Sequence, residues 1–274
     1  MKDSRLSLVV DIETRTDETI VGDDFPKDKF SPNIAQYIIS LSAATFVKGA
    51  FPNDQTMDIR SLSSAKGNEA EMLRSFISYV DKKRPRLVGF NSKGFDLEVI
   101  KGRCLVHGIQ FPTWFQTGTK WESYRSRNAS DWQLDLMDFM TSFGASPRFS
   151  LELASRAIGI PGKLGMNGAE VADYYAQGKI EEITNYCETD VMATSALMLR
   201  VMHLTGELSS EGFAKSAKSF LDFLQNEALE KPHFQTFLEQ IDLEKFTGVV
   251  TSLEDAAISD NVRLFPRGTS ACSH

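Results

Sequence analysis

Residues 6–15 read LSLVVDIETR, and the rest of the chain falls into place around that stretch. Apart from Ser7, the residues up to Ile12 are apolar where they are not Asp11, so 5–12 is expected to form a buried strand. Asp11 and Glu13 stand two apart and leave the same face of that strand. Carboxylates aimed into a sheet's core are intolerable unless they hold something, so they are expected at the strand's C-terminal edge, where they can coordinate a cation. A strand that simply ends in a polar turn would carry the same D-x-E, and the motif by itself leaves both readings open.

Downstream, a polar stretch with Gly22, Pro26 and Pro32 is too long for a hairpin and reads as a loop over one end of the sheet. Strands are expected over 36–48, 56–61, 86–91 and 133–136. Helical periodicity is expected over 67–82, where Ala70, Leu73, Phe76, Ile77 and Val80 share a face, and over 95–107. Residues 112–131 are irregular, aromatic and basic. Helices follow at about 137–143, 149–158, 167–176 and 179–204, separated by glycines. Strands gathered early and helices between and after them make an α/β domain with a central mixed sheet flanked by helices. The expected organisation is a domain over 1–205, a helical extension over 206–250 and a loosely docked tail over 251–274.

An apolar content of 42% and a charged content of 24% fit an ordinary globular protein. The one apolar run near the N-terminus is too short for a membrane span or signal peptide, so a cytoplasmic protein with no membrane partner is expected. Cys104, Cys187 and Cys272 show no paired spacing, which argues for a reducing compartment and against a zinc site. A net charge of −7 argues against a protein that coats nucleic acid through charge alone.

Two further acids have suggestive surroundings. Asp96 follows Asn91, Gly94 and Phe95 in VGFNSKGFDLEVI, where a strand passes into a helix. Complementing the helix dipole is the alternative role for an acid there. Tyr186 and Asp190 in NYCETDVMAT are four apart within a strong helix and share a face. An acid on the core-facing side of that helix needs a cation or a donor, whereas one on the outer side faces only solvent.

In chain order, D-x-E, then N-x-x-x-F-D, then Y-x-x-x-D resembles the three motifs of the DEDD superfamily of 3′-5′ exonucleases. The tyrosine four before Asp190 is similar to the tyrosine branch; the histidine branch would have His where Asn185 stands. The run DLMDFMTSFGASPRFSLELASRAIGIPGKLGMNGAEV resembles bacterial proteins related to the exonuclease domain of family B DNA polymerases. The resemblance covers about 5–205 and implies a ribonuclease H-like fold.

The resemblance also implies roles. Asp11 would bridge two Mg²⁺ or Mn²⁺ ions, Glu13 and Asp190 would complete the tighter site, and Asp96 would hold the second ion. Tyr186 would orient the attacking water, since a phenol with pKa about 10 is a poor base at neutral pH. The implied substrate is nucleic acid with a free 3′ end, single-stranded DNA first. An exoribonuclease of the ribonuclease D type and an inactive nucleic-acid-binding module are the alternatives.

Nucleic-acid contacts are expected from Thr14, Arg15, Asn91, Phe95, Lys120, Arg125, Arg127 and Lys163, with Arg148 beside them. Trp114, Phe115, Trp121, Tyr124 and Trp132 interleave with the central cations, either stacking bases or tucking back onto the body. Phe25 or Phe30 is a candidate wedge for the terminal base. Asp135 and Asp138 are the nearest competitors for a metal and are expected to be structural or to support the metal-holding residues through hydrogen bonds. GIPGKLG lacks the spacing of a phosphate-binding loop and reads as a turn. Residues 206–250 are a candidate surface for a protein partner or self-association.

Overall fold

The computed structural model describes residues 6–22, 24–26, 29–48, 55–63, 68–162 and 164–248. Five strands form one mixed sheet: β1 (Leu6–Thr16), β2 (Gln36–Lys48), β3 (Gln55–Ser63), β4 (Arg86–Gly89) and β5 (Gln133–Asp135), in the order β3-β2-β1-β4-β5. The β1–β2 and β2–β3 pairs are antiparallel, and the β1–β4 and β4–β5 pairs are parallel. This is the mixed α/β arrangement expected from the sequence.

The period-two rule sorts the side chains of β1 onto two cores. Leu8, Val10 and Ile12 join the residues of α2 (Glu69–Lys83) and α3 (Asp96–Val106) on one face. Val9 joins α8 (Ile180–Leu204) on the other, so Asp11 and Glu13, in phase with Val9, project toward α8. The remaining helices are α1 (Glu18–Val21), α4 (Pro112–Gln116), α5 (Leu136–Met140), α6 (Leu151–Ala157), α7 (Val171–Ala176), α9 (Ser210–Glu227), α10 (Pro232–Glu239) and α11 (Leu243–Thr247). Helix α2 starts at a reciprocal capping box between Asn68 and Glu71 and buries Met72, Leu73, Phe76, Ile77 and Val80. It stops at Arg84, which takes the left-handed conformation just before Pro85.

The first strand is longer than its composition suggests. The apolar run predicts an end at Ile12, but the strand continues to Thr16, because Thr14, Arg15 and Thr16 pair with Ile38, Tyr37 and Gln36 beyond a bulge. The register steps from Glu13 opposite Ser40 to Thr14 opposite Ile38, leaving Ile39 as the extra residue. Beside the bulge, Ile38 N–H donates to Glu69 Oε1 at 2.7 Å instead of joining the ladder. Glu69 is itself buried and receives Arg103 Nη2 at 2.6 Å and His107 Nε2 at 2.6 Å, while Arg103 also reaches Asp17 at 2.9 Å. A closed ionic network thus anchors the bulge where the acid pair sits.

Helices α9, α10 and α11 bring Phe213, Phe220, Leu224, Phe234, Phe237 and Phe246, all buried, into the same core as Val9, Val88 and Leu197. The expected tail over 251–274 lies outside the described residues.

Candidate active site

Strand β4 pairs with β1 only from Ser7 to Val9. Past that point its chain turns away into α3, and β1 is left with an open edge on that side. Gly89 permits the turn, since a Cβ there would sit 2.5 Å from Ser92 Cβ. Asn91 follows with φ 60°, a left-handed conformation that asparagine tolerates. Asp135, at the end of β5, clamps the turn: its carboxylate accepts from Asn91 N at 3.0 Å and Lys93 N at 2.9 Å. It also caps α5 by accepting from Met137 N and Asp138 N. The structural role expected of Asp135 is therefore visible in its bonds.

That turn delivers Asp96 as the first residue of α3. Its Oδ1 accepts from Ile12 N at 3.2 Å, occupying the edge position that β4 vacates. Asp96 is thereby buried beside the acid pair. From the opposite side of the sheet, α8 supplies Asp190. One ligand oxygen each from Asp11, Glu13 and Asp190 lies within 4.8 Å of the others.

The electrostatics follow from this crowding. Burial first, and then the charges of Asp96, Asp190 and Glu13, raise the pKa of Asp11 well above its ordinary value. Burial, with added repulsion from Asp135 and Asp190, pushes Asp96 up to about 7 although its backbone hydrogen bonds work the other way. Carboxylates held together against desolvation and mutual repulsion are a donor set for hard cations, whose charge would reverse both effects. The residues present fit divalent metal ions.

Tyr186 is buried one helical turn before Asp190 and within hydrogen-bonding reach of it. Burial, then Asp190, Glu13 and Asp11, drive its hydroxyl pKa upward, so the phenol keeps its proton.

Two neighbours of these residues were not singled out from the sequence. Cys187 is buried, with Sγ 3.4 Å from Asp11 O and 3.5 Å from Asp11 Oδ2. Burial and the nearby charges of Asp11 and Glu13 raise its pKa, so it stays a thiol that can donate to the carboxylate. Glu188 is also buried; its carboxylate receives Lys231 Nζ at 3.1 Å and His233 Nε2 at 2.8 Å from the start of α10. The usable signal was their position between Tyr186 and Asp190 on one helix.

The weaker expectations separate in space. Asn91, Arg125 and Arg127, with Arg148, line a cavity of about 450 Å³ next to the Asp96 turn. Thr14 Oγ1 instead donates to Gln36 at 2.8 Å, and Arg15 is stacked between the rings of Tyr37 and Tyr175, 4.9 and 4.8 Å from their centroids. Phe95 precedes Asp96, its ring 5.5 Å from that of Phe30, whereas Lys120 sits on the surface over Trp121. Lys163 lies outside the described residues. Of the interleaved rings, Trp114, Tyr124 and Trp132 are buried against one another, and Phe115 and Trp121 are exposed.

A family model described as "predicted 3′-5′ exonuclease related to the exonuclease domain of PolB" matches residues 28–241, so the chain belongs to that family. The class so defined is the DEDD-type 3′-5′ exonuclease, a hydrolase. The match includes Asp96, Tyr186 and Asp190, starts after Asp11 and Glu13, and runs beyond residue 205 through α9 and α10. Among solved structures, the chain is similar to the family B DNA polymerase of the hyperthermophilic archaeon Pyrobaculum calidifontis. That pair is 16% identical over 81% of this chain and 29% of that one, with a TM-score of 0.49. E. coli exonuclease I in complex with a dT13 oligonucleotide is 16% identical over 81% of this chain and 42% of that one, with a TM-score of 0.40. The chain thus spans less than half the length of these proteins. No curated protein sequence matches it. Among the described residues, no helix is long and apolar enough to cross a membrane.

Proposed function

We propose that this exonuclease removes mononucleotides from the 3′ end of single-stranded DNA, using two Mg²⁺ or Mn²⁺ ions held by its acid cluster. The observation that carries the reading is the meeting of Asp11, Glu13 and Asp190 within 4.8 Å, with Asp96 bonded to Ile12 N alongside. Asp11, Glu13 and Asp190 would hold one ion, and Asp11 with Asp96 the other. Such a pair supplies a water of lowered pKa and stabilises the charge that develops on the attacked phosphate and the leaving oxygen.

The chain's own groups account for the rest. Tyr186 keeps its proton in this surrounding, so it serves by orienting water through its hydroxyl rather than by abstracting a proton. Cys187 donates to Asp11 Oδ2 at 3.5 Å and would help orient that carboxylate. Glu13, next to the bulge, would accept from a terminal 3′-hydroxyl, which would favour chain ends over internal bonds.

The test is stepwise shortening of a 5′-labelled oligonucleotide by the full chain with Mg²⁺ or Mn²⁺, with DNA and RNA run side by side. EDTA and Asp11→Ala should each abolish shortening. Faster shortening of the RNA strand would transfer the reading to an exoribonuclease. Products that grow from internal cuts would overturn it.

A further inference from the structure

We propose that the cavity beside the Asp96 turn is a subsite for the phosphodiester backbone of the strand on the 5′ side of the scissile bond; this rests on the reading above. Three observations carry it. The first is charge. The chain as a whole is net acidic at −7, yet the cavity is lined by Lys93, Lys101, Arg125, Arg127 and Arg148 against only Glu98 and Asp138. The two acids are engaged already, Glu98 with Lys101 at 2.6 Å and Asp138 with Arg127 at 3.6 Å. Arg125 and Arg148 are exposed and enter no ion pair among the described residues. A local excess of cations beside an acid cluster suits a polyanion whose end must approach those acids.

Continuity with the site is the second. One wall is the Asn91–Gly94 turn, which leads directly into Asp96. Arg148, also on the lining, stands two residues before Ser150, which lines a small recess together with Asp190. The cavity is thus bordered by the turn that presents Asp96.

The third is a ring on its lining. Phe115 is 53% exposed and offers a stacking face. Cationic walls with an available ring are the elements that hold a single strand without reading its sequence. The volume of about 450 Å³ falls in the range of small-ligand sites, room for a nucleotide unit.

The experiment compares Arg125→Ala/Arg148→Ala with the native chain and with a charge-matched control, Lys215→Ala/Lys218→Ala on α9. Binding of a fluorescein-labelled dT12 is followed by anisotropy in EDTA over a range of salt. The cavity variant should bind roughly tenfold more weakly, and the slope of log affinity against log salt should shrink by about 1.4, near 0.7 for each lost phosphate contact. The control should leave affinity and slope as they are. Turnover is measured in parallel on the same 12-mer and on the p-nitrophenyl ester of thymidine 5′-monophosphate, which has no upstream nucleotides. The loss in kcat/KM should be at least tenfold larger on the 12-mer. Equal binding by the cavity variant and the native chain would overturn the proposal, as would equal losses in the variant and the control. A native chain that binds dT12 through these arginines yet degrades nothing would keep the subsite and defeat the exonuclease mechanism instead.

Discussion

Replacing Asp96 by Asn isolates the electrostatic cost of gathering these acids. The side chain is buried, its Oδ1 accepts from Ile12 N, and its pKa stands at about 7 instead of an ordinary 3.8. An acid with a raised pKa holds its proton more tightly when folded. Its contribution to stability is therefore fully present below about pH 4 and is lost as the pH rises through about 7. Each tenfold change in proton affinity is worth about 1.4 kcal/mol. The metal-free protein at pH 8 thus bears a cost on the order of 4 kcal/mol from this residue, with about 2–3 kcal/mol of it appearing between pH 5 and pH 8. Asparagine keeps the acceptor for Ile12 N and cannot ionise. In EDTA, Asp96→Asn should therefore melt about 8–16 °C above the native chain at pH 8, at roughly 2–4 °C for each kcal/mol, and the gap should narrow toward pH 5. Thermal unfolding across that pH range with both proteins measures it directly. A gap that is the same at pH 5 and pH 8, or an asparagine variant that melts lower at pH 8, would refute the reasoning.

Four other expectations follow from the same contacts. Millimolar Mg²⁺ or Mn²⁺ should stabilise the native chain by about 2.7 kcal/mol once the ion reaches a hundredfold its dissociation constant, and calorimetry should find that binding lost in Asp11→Asn. Tyr186→Phe should lower kcat roughly 10- to 100-fold with KM and metal affinity little changed, since only the hydroxyl proposed to orient water is removed; an equal loss in KM would assign it to substrate binding instead. Arg103→Met should destabilise the fold by about 3–5 kcal/mol, because buried Glu69 loses its arginine and keeps only His107 while still tied to the bulged strand, and Asp17 loses its ion pair as well; chemical denaturation reads this without any activity assay. Cys104 and Cys187, both buried with raised thiol pKa, the former to about 12, should resist alkylation at pH 8 in the native protein and react on unfolding, as peptide mass spectrometry would show.

Much of the architecture was legible because the two periodicities are strong here. The short apolar run in LSLVVDI and the face formed by Leu73, Phe76, Ile77 and Val80 mark a strand and a helix whatever surrounds them. The continuation of β1 to Thr16 was not legible. Polar residues stay in a strand there only because a bulged neighbour pairs with them, and that neighbour is some twenty residues away. The aromatic stretch was ambiguous for a similar reason. Stacking of Trp114 on Tyr124, and of Tyr124 against Trp132, depends on burial that local composition does not encode.

By itself, the sequence determined which carboxylates exist, their order, and the local element that carries each one, because spacing of two on a strand and four on a helix is a property of the backbone alone. Only the tertiary structure decided that Asp96 fills the edge that β4 vacates, that Cys187 meets Asp11 and Glu188 ties α8 to the start of α10, and that Arg15 stacks on tyrosines while Arg125 and Arg148 line a cavity. Those outcomes depend on distances between segments from about 20 to about 180 residues apart, which are set when two cores close on opposite faces of one sheet.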